Sequence, residues 1–181
     1  MEKTSTARKI LIVLDLLLIL STLIFIFWNS LQTDVESDGM STNIAEKIGN
    51  AVPPIKEAIE RDETVLRKLN SFVRSMAHVT EFMVLGATVI LLFILLKARP
   101  PRKYALISAS LCILIGVLDE FLQLFVSGRG CQAVDVLKDS LGAILGILFV
   151  SAMYKISKRV LTKRKNSGII HTLSEDSKKI E

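Results

Sequence analysis

The chain has 181 residues, half of them hydrophobic, with a formal net charge of +5 and a mean hydropathy of +0.46. This composition excludes a disordered chain and is unusually apolar for a soluble domain with 23% charged residues. The basic residues gather beside apolar runs, which indicates contacts with anionic lipid head groups rather than with nucleic acid.

The first apolar run, at 10–28, reads "ILIVLDLLLILSTLIFIFW". It is long enough to cross a hydrocarbon core about 30 Å thick. No small-residue cleavage site follows it, so we predict an uncleaved transmembrane helix rather than a signal peptide. Asp15 interrupts this run, and we expect it to face the other helices, where a basic residue of 97–103 could pair with it.

The segment after the first span has an apolar pattern with helical spacing, interrupted by Pro53-Pro54. We predict a short amphipathic helix near 42–51, a second stretch from about 55, and a helix from about 62 that runs into the second span. Their apolar faces are expected to lie on the membrane surface or to cover the outer mouth of the bundle. A surface loop is the alternative for this segment.

Three further apolar runs, at 79–96, 104–126 and 136–154, complete the predicted spans. The predicted fold class is therefore all-α, an integral membrane helical bundle with four transmembrane helices and an amphipathic helical segment between the first two. Residues 1–155 form the predicted transmembrane domain. The polar, lysine-rich residues 156–181 are predicted to be a disordered cytoplasmic tail.

The distribution of basic residues predicts the orientation of the spans. Lysines and arginines cluster at the N-terminus, in the 97–103 link and in the C-terminal tail. By the positive-inside rule, we predict a multi-pass membrane protein whose N- and C-termini are cytoplasmic. Segments 29–77 and 127–135 then face outward.

The two cysteines are predicted to be free thiols. Cys112 lies within the third span and Cys131 lies beyond it. The helix between Cys112 and the end of that span at Val126 is about 21 Å long. A disulfide needs Cα atoms within about 7 Å, so these residues should not pair.

Polar residues from three different spans fall at one depth, near the outer interface. Helical spacings of three or four residues place them in pairs on single faces. An ionised group at a helix centre costs about 2.5–3.5 kcal/mol on insertion scales, so this many together indicate a site. The residues at this depth are His78, Glu81, Asp119, Glu120, Gln123, Arg129, Asp135, Lys138 and Asp139.

Small residues share helix faces with these acids. Asp139 lies on one face with Gly142 and Gly146, a G-x-x-x-G spacing, and Glu120 lies on one face with Gly116. Small residues let helices approach closely in lipid. We therefore predict that the third and fourth spans touch along these faces.

Three interpretations of these polar residues remain open. They could form a network that fixes the bundle, bind an anionic or amphipathic ligand, or form a catalytic or metal site. A lone His-x-x-Glu is a weak metal signal. The sequence has no H-E-x-x-H, G-x-S-x-G or P-loop motif, which favours a protein that is not an enzyme. We predict no cofactor and no metal.

Three polar motifs resemble the VanZ-like family of small bacterial membrane proteins. They are "RSMAHVTEF" at 74–82, "DEFLQLFVSGRG" at 119–130 and "DVLKDSLGAILG" at 135–146. The "FWNSL" after the first span is also similar, and the resemblance covers roughly residues 10–155. Two positions depart from the family pattern: Phe82 stands where tyrosine is usual, and Ser127 stands where proline is common.

The resemblance implies a set of functional residues, called the polar cluster below. We expect this cluster to line a pocket that opens outward, with Arg129 and Arg74 contacting phosphate or carboxylate. The polar cluster consists of Arg74, His78, Glu81, Asp119, Glu120, Gln123, Arg129, Asp135 and Asp139.

The resemblance also implies a role in the cell envelope, because the founding member is associated with low-level resistance to teicoplanin. The expected partners are a membrane lipid, a lipid-linked wall precursor or a glycopeptide antibiotic, and not nucleic acid. One alternative is an intramembrane hydrolase or transferase acting on an envelope lipid, with Glu120 as its base. Another is a structural assembly factor without chemistry of its own.

Overall fold

The computed structural model describes residues 6–97 and 101–178, with side chains described within 6–97 and 102–162. Its described residues form no strand, which confirms the all-α prediction. The helices are α1 (Thr6–Ser30), α2 (Asp34–Ala51), α3 (Pro53–Arg61), α4 (Glu63–Leu95), α5 (Pro101–Gln123) and α6 (Ala133–Lys178).

Four helices contain a stretch long and apolar enough to cross a membrane, as predicted. These stretches are Thr6–Ser30, Glu63–Leu95, Arg102–Gln123 and Ala133–Thr162. Large apolar side chains point away from the bundle, such as Leu14 and Phe149, which are 57% and 66% exposed. This outward apolar surface is what a helical bundle presents to lipid. The third span was predicted to continue to 126, but α5 ends at Gln123 and turns follow.

The segment between the first two spans is helical, as predicted, but α2 begins earlier than expected. Thr33 and Glu36 form a capping box, in which each side chain accepts a hydrogen bond from the other residue's backbone N–H. This box satisfies N–H groups that the first helical turn leaves without partners. The helix therefore starts at Asp34 rather than near 42, and prolines open α3 after Val52.

Helices α4 and α6 form the most extensive contact in the bundle. Gly142 and Gly146 on α6 lie against backbone atoms of Val79 and Met83 on α4. The prediction that the G-x-x-x-G face meets the third span is therefore wrong, because it packs on the second. The third and fourth spans do meet at Gly116, where an added Cβ would lie 3.3 Å from the Asp139 Cβ.

An apolar core of residues from α1, α4, α5 and α6 lies within the bundle. Phe82, at the position where the family usually has tyrosine, is fully buried in it. Both cysteines are free, as predicted, with Cys112 buried and Cys131 exposed. The buried core residues are Ile26, Phe82, Leu85, Val89, Cys112 and Ala143.

Asp15 lies on the inner side of α1, as predicted, and is only 5% exposed. Neither of its carboxylate oxygens has a hydrogen-bond partner among the described residues. Residues 98–100 of the link expected to supply a basic partner lie outside the described residues. Near this end of the bundle, the Arg8 Nε donates a hydrogen bond to the Leu95 carbonyl, which fixes α1 to the end of α4.

The last helix continues well beyond the membrane-spanning stretch. We predicted a disordered tail at 156–181, whereas α6 extends to Lys178. Lysine, arginine and leucine, which recur after 155, have high helix propensity, and no proline interrupts them. Residues 179–181 lie outside the described part of the chain.

Candidate functional site

The bundle brings the polar residues of α4, α5 and α6 together at one end, and the end of α1 joins them. Asn29 donates a hydrogen bond of 2.8 Å from Nδ2 to the Glu81 Oε1. Ser30 donates from Oγ to the Asp119 backbone carbonyl at 3.2 Å. The sequence patterns did not identify Asn29 and Ser30 as site residues, although "FWNSL" is similar to the family pattern. Their position at the end of an otherwise apolar span is the signal that could have identified them.

Three side chains, His78, Asp119 and Asp139, form the centre of the site and are called the central triad below. Each offers one nitrogen or oxygen atom, and these three atoms lie within 4.8 Å of one another. The His78 Nδ1 and the Asp139 Oδ1 are 3.3 Å apart, at ion-pair distance but outside hydrogen-bond alignment. The triad therefore joins α4, α5 and α6 at a single point.

The carboxylates of the central triad are buried with too few hydrogen-bond donors. Asp119 is 2% exposed and Asp139 is fully buried. The Asp119 Oδ1 and both oxygens of Asp139 accept no hydrogen bond from any residue that the structure describes. Buried polar groups are nearly always hydrogen-bonded, so these oxygens require a partner such as a proton, water or a cation.

Glu120 differs from the triad because both of its oxygens have donors. The Gln123 Nε2 lies 3.3 Å from its Oε1 and also donates to the Asp119 Oδ2 at 3.1 Å. The Gln132 backbone N–H donates to the Glu120 Oε2 at 2.7 Å. These bonds make Glu120 a structural support for the connection between α5 and α6, rather than the free base that the enzyme hypothesis assigned to it.

The loop at 124–132 holds the ends of three helices together. Gly128 adopts a φ of +79°, a left-handed conformation that glycine adopts without a steric penalty. The next residue, Arg129, donates from Nη1 to the carbonyls of Asn29 and Ser30 at 3.3 and 3.2 Å. A cation beside the last carbonyls of a helix is favourable, so Arg129 caps α1. The Asp34 N–H also donates to the Ser127 carbonyl at 3.4 Å.

Burial also affects the charge of Arg129. Removal from water lowers the pKa of its guanidinium, and the neighbouring Arg74 lowers it further. A guanidinium nevertheless stays protonated in proteins. Arg129 therefore remains a cation, and its hydrogen bonds go to the carbonyls at the end of α1 rather than to a carboxylate of the central triad.

The remaining cluster residues lie at its edge and pair locally. The Arg74 Nη1 lies 3.1 Å from the Asp34 Oδ1, which joins α4 to the start of α2. The Lys138 Nζ lies 2.6 Å from the Asp135 Oδ1, one turn apart on α6. The closest acidic partners of Arg74 and Lys138 are therefore Asp34 and Asp135, not Asp119 or Asp139.

Several side chains that were expected to line an outward-opening pocket are buried in the structure. The end of α1, the start of α2 and the 124–132 loop bond to one another over this end of the bundle. The enclosed residues, with their exposed fractions, are Asp119 (2%), Glu120 (1%), Gln123 (3%) and Asp139 (0%).

This buried site can accept protons or cations. It combines an imidazole nitrogen with carboxylate oxygens, which are the atoms that bind protons and divalent cations. Among the described residues, only the central triad groups such donor atoms closely enough to hold a metal ion. Glu120 and Arg129 support the surrounding structure instead.

Comparison with known proteins supports the resemblance seen in the motifs. Neither curated proteins nor solved structures give a significant match. The VanZ/LLP1 family profile matches residues 14–154, which is most of the chain and includes every residue of the polar cluster. This multi-span helical chain therefore belongs to the VanZ/LLP1 family.

Proposed function

We propose that this VanZ-family protein acts in the bacterial cell envelope, from the plasma membrane, with both termini cytoplasmic. Basic residues support this orientation, because they concentrate beside the inner ends of the predicted spans. The polar cluster would then lie at the outer face of the membrane. This position suits contact with envelope lipids and with drugs that arrive from outside.

We further propose that the polar cluster binds an envelope lipid, a lipid-linked wall precursor or a teicoplanin-type antibiotic, and thereby contributes to tolerance of such antibiotics. The observation that carries the proposal is the set of buried carboxylate oxygens without donors on Asp119 and Asp139. Ionisable residues inside a membrane bundle are expensive and are usually kept for function. A purely structural network would be expected to satisfy these oxygens, as it does those of Glu120.

In this proposal, a ligand reaches the buried site when the 124–132 loop moves. The described hydrogen bonds between this loop and other elements include Arg129 to the α1 carbonyls, Ser127 to Asp34, and Gln132 to Glu120. Displacing the loop frees the guanidinium of Arg129 at the outer surface, near Arg74. Arginine forms paired hydrogen bonds to phosphate and carboxylate, which suits an anionic head group.

The test is antibiotic susceptibility in a strain that lacks the protein. The strain is complemented with wild type, Asp119→Asn or Asp139→Asn, and each protein is blotted for membrane abundance. We expect deletion to lower tolerance of teicoplanin more than that of vancomycin, and only wild type to restore it. Equal restoration by all three proteins at equal abundance would refute a functional role for the central triad in tolerance.

The same strains separate this proposal from an assembly factor without chemistry. If the cluster serves only to hold the bundle together, tolerance follows abundance in every variant. Glu120→Gln shows how a variant with a purely structural defect behaves, because Glu120 accepts structural hydrogen bonds from Gln132 and Gln123. Loss of tolerance in Asp139→Asn without loss of protein distinguishes a functional site from a structural one.

An intramembrane hydrolase or transferase is the second candidate function. It is favoured by the proximity of an imidazole and two carboxylates, which are the usual groups for general acid and base catalysis. The assay incubates the purified protein with a lipid-linked wall precursor and measures product release. Turnover that disappears in Asp139→Asn would support the enzyme, and no turnover by wild type would leave binding as the function.

A further inference from the structure

We propose that His78, Asp119 and Asp139 bind a divalent transition-metal ion. This inference rests on the proposed function, because it takes this part of the polar cluster as the functional site. It adds the class of ion that occupies that site. Its test is the metal content of the protein, which is measured without reference to antibiotic tolerance.

The spacing of the donor atoms matches a metal site. Bond lengths of about 2.1 Å and tetrahedral angles place two ligand atoms about 3.4 Å apart. The His78 Nδ1 and the Asp139 Oδ1 are separated by 3.3 Å, and they do not align as a hydrogen bond. The complete set lies within 4.8 Å, so the proposal includes a rotation of a carboxylate about its side-chain bonds that brings all three atoms to metal-binding distance.

Burial and missing donors provide the second, independent observation. Asp119 and Asp139 are at least 98% buried, yet three of their four oxygens accept no hydrogen bond from the described residues. The His78 Nδ1 also lacks a hydrogen-bond partner there. The His78 Nδ1 and the Asp139 Oδ1, which approach to 3.3 Å, are therefore both among the atoms without hydrogen-bond partners.

The charge of the region favours a cation at this point. The direct contacts of the nearby basic side chains lie elsewhere: Lys138 contacts Asp135, Arg74 contacts Asp34, and Arg129 contacts the carbonyls at the end of α1. Two carboxylates remain beside one imidazole in an interior where unpaired charge is costly. A divalent ion neutralises both carboxylates while leaving the imidazole neutral, which is the form in which histidine binds metals.

The ligand types select the class of ion. Magnesium and calcium prefer sites built from oxygen ligands, whereas an imidazole with carboxylates suits zinc, manganese or iron. Three protein ligands leave a position for water or for an oxygen of a bound molecule, as in catalytic zinc sites. A phosphate or carboxylate oxygen of an envelope ligand would fit that position.

The surrounding residues hold the ligands as a metal site requires. Gln123 donates to the second oxygen of Asp119, which fixes the direction of that carboxylate. Gly116 on α5 leaves the space that Asp139 fills, since an added Cβ would lie 3.3 Å from the Asp139 Oδ2. Such outer contacts orient the ligands and increase metal affinity.

The experiment measures metal in the full-length protein purified in detergent without added chelator. Elemental analysis by mass spectrometry is followed by stripping with a chelator and titration with Zn²⁺, Mn²⁺ and Mg²⁺. We expect about one transition-metal ion per chain in wild type. His78→Ala, Asp119→Asn and Asp139→Asn should each lose at least about 10-fold in affinity for that ion.

Asp15→Asn is the matched control, because Asp15 is also a buried acid whose oxygens lack hydrogen-bond partners among the described residues, but it lies outside the polar cluster. It should retain the metal. A circular dichroism spectrum for each variant shows whether the helices are intact, and a metal-dependent rise in the wild-type melting temperature tests the site without any substitution.

The proposal is overturned if wild type neither carries nor takes up a transition metal, or if Asp139→Asn binds it as well as wild type. Stoichiometric metal in a protein that has no effect on tolerance would leave this inference intact and remove the proposed function. Restoration of tolerance by a protein that binds no transition metal would overturn this inference and leave the proposed function intact.

Discussion

At the scale of single residues, Glu120 and Asp139 have similar burial but different surroundings. Glu120 accepts hydrogen bonds on both oxygens, and Asp139 accepts none from the described residues. A hydrogen bond to a charged group contributes about 1.5–3 kcal/mol, so we expect Glu120→Gln to lower the free energy of unfolding by about that amount. The measurement is reversible denaturation in detergent with a chelator present.

Under the same metal-free conditions, Asp139→Asn should raise the unfolding midpoint. The substitution removes a buried negative charge that lacks donors, and the amide of asparagine can donate to the nearby His78 Nδ1. Opposite shifts in the two variants would support the division between the supporting residue and the central triad. A fall of similar size in both would contradict it.

The sequence predicts which polar residues meet, but not which of them lack partners. Helical spacing and span order placed His78, Asp119 and Asp139 at one depth. Asp119 and Glu120 are adjacent acids in the same helix, and nothing local distinguishes them. The difference arises from the Gln132 backbone N–H, whose position depends on how the chain turns after α5.

At the scale of helices, the glycines of α6 determine how closely α4 approaches. A Cβ on Gly142 would contact the Val79 carbonyl oxygen and lie 3.0 Å from the Val79 Cα. Gly142→Ala should therefore force the helices apart and destabilise the protein by about 1–3 kcal/mol. Thermal unfolding in detergent measures the effect.

Gly39→Ala is the matched control for this prediction. Gly39 also lies inside a helix, α2, but nothing lies within 4 Å of the position of its Cβ. Because alanine is the better helix former, Gly39→Ala should be neutral or stabilising by about 0.5–1 kcal/mol. Equal destabilisation by both substitutions would show that helix contact is not the cause.

The start of α2 should depend on pH. The Thr33 backbone N–H and then its hydroxyl donate to the Glu36 carboxylate, and these bonds lower the pKa of Glu36 from its ordinary 4.5. A depressed pKa means that the stabilisation is complete above 4.5 and is lost as the pH falls through the lower, folded value.

Hydrogen exchange at the first turn of α2 measures this dependence. Protection of the amides around Thr33, corrected for intrinsic exchange, should fall between about pH 6 and pH 3. Glu36→Gln should have lower protection than wild type at the higher pH and little further change on acidification. A wild-type profile that matches Glu36→Gln at both pH values would exclude the carboxylate as the cause.

This cap also illustrates what sequence can predict about helices. The T-x-x-E pattern at Thr33–Glu36 is a local signal and could have given the true start of α2. The partner of the G-x-x-x-G face could not be predicted in the same way. The pattern indicates close approach without identifying which of several neighbouring helices supplies the opposing backbone.

At the scale of the whole molecule, Cys131 provides a test of the proposed orientation. Cys131 is exposed in the 124–132 loop, and Cys112 is buried in the core. If that loop faces outward, a membrane-impermeant maleimide should label intact cells through Cys131, and Cys131→Ser should abolish the labelling. Labelling that requires permeabilised cells would indicate the opposite orientation.

The bonds from Arg129 to the α1 carbonyls have a thermodynamic consequence. They join the first helix, at residues 29–30, to a loop some 100 positions later in sequence. Any ligand that displaces this loop must also release α1, so the free energy of ligand entry includes that of undocking the helix end. By linkage, any change that weakens the docking of α1 elsewhere along its length promotes ligand binding. A bound ligand weakens the docking of α1 in return. The first span, which contributes no carboxylate to the central triad, thereby becomes a determinant of its affinity.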